Sequence, residues 1–88
     1  MTTTTSVRIV HPTGHANFSC VELDYLTIWF SYQTPIAFEN CTRGQVVREN
    51  DWGPTTGKHL NYICEDKSQR VAGDKFARML ADALGGAS

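Results

Sequence analysis

Leu26-Thr27-Ile28-Trp29-Phe30-Ser31-Tyr32-Gln33-Thr34-Pro35-Ile36-Ala37-Phe38 is the stretch whose reading decides the fold. Side chains of a β-strand point alternately to its two faces, so Leu26, Ile28, Phe30 and Tyr32 share one face and Thr27, Trp29 and Ser31 the other. Ile36 and Phe38 continue the apolar alternation beyond Pro35, which cannot donate a ladder hydrogen bond and marks a bend, an edge or a turn. A three-residue connection at Gln33–Pro35 would set Tyr32 opposite Ile36 and Phe30 opposite Phe38, keeping large apolar groups together. A two-residue loop pairs Phe30 with Ala37 and breaks that match, because a one-residue slip exchanges faces. A bent continuous strand keeps the same parity and stays open beside the favoured hairpin.

Working outward, Val7–Val10 and Phe18–Leu23 read as two earlier strands separated by the turn residues His11, Pro12, Thr13 and Gly14. After a turn at Asn40–Gly44, with Gly44 suited to positive φ, Gln45–Glu49 returns as a strand placing Val46 opposite Phe38. Thr55 or Thr56 is placed to cap a short helix near 56–64, with Leu60 and Ile63 on one face. Ala72, Phe76, Met79, Leu80 and Ala83 form one apolar stripe of a C-terminal helix, ended by Gly85 and Gly86. Asp66 and Gln69 have the spacing of a capping box, and Gly73 weakens the first turn. The expected fold is therefore α+β: a small antiparallel sheet of about 3–5 strands packed by the C-terminal helix across the face of Phe30 and Phe38. Trp29 faces away from that core, leaving its surface to another helix or to a second copy in a homodimer.

Eighty-eight residues bound the chain to a single domain, with 1–6 as a mobile threonine-rich tail. With 41% hydrophobic and 19% charged residues it is too apolar for a disordered chain, and a net charge of −1 gives no field to attract a polyanion. The odd set Cys20, Cys41 and Cys64 has no CxxC pair and argues for a reducing compartment, although spacing leaves a Cys20–Cys41 or Cys41–Cys64 bridge open. Neither a signal peptide nor a membrane-length apolar run is present, so no membrane partner is expected.

Catalytic motifs are missing: there is no G-x-S-x-G, P-loop, HExxH or GxGxxG. His11, His15 and Cys20 make at best one loose half of a zinc set, and His59 with Cys64 lacks a group to orient the imidazole. No catalytic residue, metal or cofactor is predicted, and an enzyme is not expected. Two surfaces remain. Trp52, Thr55, Thr56, Lys58, His59 and Tyr62 combine an aromatic anchor with adaptable polar neighbours, the composition of a protein-binding hot spot, against the plainer reading of a loop pinned by Trp52. Arg43, Arg48 and Lys58 beside the aromatics form a thin version of a single-stranded nucleic-acid site, which is the less favoured alternative.

Phe30-Ser31-Tyr32-Gln33-Thr34-Pro35-Ile36-Ala37-Phe38, a loop with Trp52, and Thr55-Thr56-Gly57-Lys58-His59-Leu60-Asn61 together resemble a family of short bacteriophage proteins of unknown function. The resemblance spans residues 26–84, and the N-terminal segment through Asp24 carries none of it. It implies a small accessory protein of the host cytoplasm that binds a host or phage protein, inhibition of a host system being one mode, rather than one that catalyses a reaction.

Overall fold

The computed structural model describes residues 7–23, 25–40 and 44–85. These form a six-stranded sheet in sequence order: β1 (Arg8–Val10), β2 (Phe18–Glu22), β3 (Leu26–Ser31), β4 (Thr34–Asn40), β5 (Gly44–Arg48) and β6 (Arg70–Val71). Neighbours β1 to β5 pair antiparallel, while β6 runs parallel to β5. A parallel neighbour needs a crossover, and helix α1 (Pro54–Ile63) supplies it. Helix α2 (Gly73–Gly85) closes the described chain. The fold class is α+β as expected, but the sheet is larger and mixed. β6 is only two residues long and too short to show alternation, so its pairing with Val47 and Arg48 could not be read from sequence.

The sheet is packed on both faces. Leu26, Ile28, Phe38 and Val46 meet Phe76, Leu80 and Ala83 of α2, with Phe38 and Phe76 rings 5.6 Å apart. This is the predicted helix-on-sheet core, and Val46 stands opposite Phe38. On the reverse face Phe18, Ile36, Ala37 and Val47 meet Leu60 of α1, and Trp29 packs half-buried against this second cluster. The surface left open beside Trp29 is therefore covered by a helix of the same chain.

The β3–β4 connection corrects the expected register. Ser31 pairs with Thr34 and Phe30 with Pro35, so the turn is the two residues Tyr32–Gln33 and not Gln33–Pro35. A slip follows between Trp29 and Phe30: Ile36 is an extra residue, after which Trp29 faces Ala37 and Ile28 faces Phe38. The bulge is what reconciles a tight turn with apolar matching, because an added residue shifts parity by one. Ile36 and Ala37 consequently both join the α1-side core. Pro35 is tolerated because β5 pairs with β4 only from Ala37 onward.

Gly44 adopts φ +73° at the entry to β5, a value at which a side chain would be strained. The start of α2 is delayed, as Gly73 suggested: the Asp66 carboxylate accepts from Ser68 N and Oγ (3.0 and 2.6 Å) and organises a separate 3₁₀ turn at Lys67–Gln69 in place of a capping box for α2. The expected tail at 1–6, Cys41 with its two candidate bridges, Arg43 and Gly86 lie outside the described residues.

Candidate functional site

Helix α1 begins directly after a tight loop held by the Asn50 side chain. Asn50 Oδ1 accepts from Trp52 N at 2.9 Å while Asn50 Nδ2 donates to the Gly53 carbonyl at 3.2 Å. Gly53 is the N-cap and Pro54 opens the helix, where its missing N–H costs nothing. The expected Thr55 or Thr56 cap is therefore corrected: both lie inside the helix, and no side chain caps it.

Thr56, His59, Leu60 and Ile63 follow helical spacing and turn toward the sheet. Two of these four are polar, and burying them requires partners. Ser31, at the end of β3 on Trp29's face, provides both: Ser31 Oγ lies 3.0 Å from Thr56 Oγ1 and 2.8 Å from His59 Nδ1. All three residues are buried. The His59 ring stacks on Phe18 at 4.6 Å with 6° between the planes. Burial, with a smaller contribution from His15, holds the His59 imidazole below its ordinary value of 6.5, so the neutral ring is favoured in the fold.

Of the six residues predicted for the binding surface, Trp52, Thr55, Lys58 and Tyr62 are exposed, whereas Thr56 and His59 point inward. One aromatic was missed. Tyr32 is 58% exposed and holds φ +58°, a left-handed conformation rare for a bulky residue. Its N–H donates to the Asn17 carbonyl at 2.7 Å, which anchors the turn. Tyr32 lies 6.4 Å from the His59 ring, Tyr62 meets Phe18 edge-on at 5.4 Å, and Tyr32 and Trp52 line one small cavity. Tyr32, His59, Phe18 and Tyr62 thus form a chain of ring contacts, buried in the middle and exposed at Tyr32 and Tyr62, with the exposed Trp52 across a small cavity from Tyr32. Serine in a turn-proximal strand position, matched to polar residues on α1's inner stripe, is the signal that would have found the network.

Ser31 and His59 have the bond of a nucleophile–base pair, but Ser31 is 3% exposed and the ring's contacts among the described residues are Ser31, Phe18 and Tyr32, with no carboxylate to orient it. The arrangement fits a structural lock between α1 and the sheet. Cys64, at the end of α1, directs its thiol to the Asp66 carbonyl and not to His59. Burial and the Glu22 charge push the Cys20 thiol above its ordinary value, which makes it less reactive. Among the described residues no three His, Cys, Asp or Glu side chains are grouped to hold a metal ion.

Of the basic residues read as a nucleic-acid surface, only Arg48 and Lys58 are among the described residues. Arg48 is bridged to Asp51 at 3.0 Å and lies over the Trp52 ring at 4.3 Å, while Lys58 is exposed on α1. No described helix is long and apolar enough to cross a membrane.

No curated protein and no solved structure matches the chain. A family model does match, over residues 2–78, and this covers the N-terminal segment as well as the hairpin, the Trp52 loop, α1 and the start of α2. The chain belongs to the family of unknown function DUF8033.

Proposed function

We propose that this is a small phage-type accessory protein of the host cytoplasm, and that it acts by binding a host or phage protein, with inhibition of a host system as its outcome. The observation that carries this reading is the set of exposed rings Tyr32, Trp52 and Tyr62, arranged about the Ser31–Thr56–His59 lock. Rigid, half-exposed Tyr and Trp side chains give large contact area at little entropic cost, and they dominate protein-binding hot spots. The strained turn at Tyr32 adds support, because such backbone costs on the order of 1–3 kcal/mol and tends to be kept where a side chain must be presented. The phage and cytoplasmic parts rest on the motif resemblance and on an odd number of cysteines with no CxxC pair.

Affinity capture from bacterial lysate tests the reading. A specific protein should be retained by the native chain and lost with Trp52→Ala or Tyr62→Ala while the fold, monitored by circular dichroism, is unchanged. Retention by every variant, or capture of nothing specific, would sink it. Nucleic-acid binding through Arg43, Arg48 and Lys58 has less support, since Arg48 is neutralised and its guanidinium occupies a face of Trp52 on which a base would stack.

A further inference from the structure

One hollow has none of the exposed rings in its walls. It lies where the end of β5 meets β6 and α1, measures about 320 Å³ and is lined by Glu49, Asn50, Gly57, Asn61 and Arg70. The strand register puts its two charged residues side by side. Arg70 pairs with Val47 across the parallel β5–β6 ladder, and Glu49 N donates to the Val71 carbonyl at 2.8 Å, so the ladder continues to Glu49. Glu49 stands two residues beyond Val47 and shares its face, the one that α1 covers. With strands about 4.8 Å apart and a rise of about 3.3 Å per residue, the Arg70 and Glu49 backbone positions are about 8 Å apart.

Neither charge has a counter-ion among the described residues. Arg70 is half-buried, and its Nη2 donates to two neutral acceptors, Asn61 Oδ1 at 2.8 Å and the Cys64 carbonyl at 3.2 Å. Its Nε is buried without an acceptor, so the guanidinium has lost hydration that the protein has not replaced. The described residues give Nη1 no acceptor either. Glu49 is exposed, and the ion pairs among the described residues, Arg8–Glu22 and Arg48–Asp51, do not include it. Two opposite charges therefore line one hollow without bridging each other. Asn50 is committed to holding its loop through both ends of its amide and serves as a wall. Asn61 is exposed, and only its Oδ1 is engaged by Arg70, which leaves its Nδ2 as a donor beside the guanidinium. Gly57 keeps the space clear, since a Cβ there would come within 3.1 Å of Asn50 Nδ2.

We propose that this hollow binds a free α-amino acid as its zwitterion. The ligand's carboxylate accepts from Arg70 Nη1 and Asn61 Nδ2, and its ammonium donates to the Glu49 carboxylate, so each charge meets its opposite. A phosphate or a simple carboxylate would face Glu49 without a counter-charge, and an amine alone would leave Arg70 uncompensated. A neutral sugar would dehydrate both charges and pair neither. Charged side chains rising from positions about 8 Å apart on one face close on a ligand whose ammonium and carboxylate share a single carbon. A dipeptide or a longer ω-amino acid holds its charges too far apart for that gap. Beyond the two charged groups the ligand meets only the Gly57 backbone and the Asn50 amide, which suits a small or polar side chain.

Isothermal titration calorimetry of the full chain with glycine, alanine, serine, threonine and asparagine tests this. At least one should bind, and its N-acetyl and carboxamide derivatives, each lacking one of the two charges, should bind at least about tenfold more weakly. Glu49→Gln and Asn61→Asp change exposed positions. The first removes the partner of the ammonium. The second keeps an acceptor for Arg70 but adds a negative charge that neutralises it and repels the ligand's carboxylate. Both should weaken binding at least about tenfold with unchanged circular dichroism. Binding of none of the five amino acids, equal binding of either derivative, or undiminished binding by the variants would each overturn the proposal. So would preferential binding of glycylglycine, γ-aminobutyrate or inorganic phosphate. The derivatives are measured on the native chain, so they decide the matter even where a variant loses its fold.

Discussion

Ser31 serves two buried partners at once, and this sets what happens when it is removed. Ser31→Ala leaves His59 Nδ1 and Thr56 Oγ1 without the hydroxyl they share. Unsatisfied buried groups cost about 1–3 kcal/mol each, so urea denaturation should show a loss in that range. Combining Ser31→Ala with His59→Phe should recover part of it, since apolar replacement of both partners removes the unmet demand. A double-variant loss equal to the sum of the single losses would show that the pair is not coupled. The pH dependence belongs to the same residue. With the folded pKa of His59 depressed, the unfolded chain binds its proton more readily, so stability is full above about 6.5 and declines as pH falls below it. Asp66, lowered by Ser68, acts only at and below its ordinary 3.8, outside that window. Melting temperatures across about pH 7.5 to 5 should fall for the native chain and flatten for His59→Asn.

At the scale of elements, α1 depends on a narrow contact. Leu60 is its fully buried side chain, and the rest of its inner stripe is polar or half-buried. Leu60→Ala should cost about 2–5 kcal/mol, read as a shift in the denaturation midpoint. The bulge at Ile36 is equally consequential, because it keeps Phe38 over Ile28 while the turn stays at two residues. Deleting Ile36 would leave Ala37 opposite Trp29 in an unbulged ladder but remove a fully buried side chain from the α1-side core, and a loss of about 2–5 kcal/mol in urea denaturation is the expected result. Much of the element order was legible from sequence: alternation over Leu26–Phe38 and the stripe Phe76, Leu80 and Ala83 are local patterns. The turn position was not, since hairpin and bulge compensate each other and leave the same parity downstream.

The whole molecule shares one sheet between two cores, which makes its faces mutually dependent. Leu60→Ala on one face and Leu80→Ala on the other remove contacts from separate clusters. Each variant should nevertheless unfold in a single transition by both far-ultraviolet and near-ultraviolet circular dichroism, because neither helix has a core of its own. Non-coincident transitions in Leu60→Ala would instead mark α1 as a separately melting unit. By itself the sequence determined strands within 7–10, 18–23, 26–32 and 45–49, the C-terminal helix and the core of Phe38 with Val46, since periodicity and side-chain volume are carried within each segment. Only the tertiary structure decided that α1 covers Trp29's face, that β6 joins parallel, and that Ser31 meets Thr56 and His59 across 25 and 28 positions of chain. The candidate surface follows the same division. Trp52, Lys58 and Tyr62 were legible as exposed polar and aromatic neighbours, whereas burial of Thr56 and His59 and presentation of Tyr32 depend on how the chain brings distant segments together. A buried hydrogen bond between residues so far apart leaves no local pattern to read.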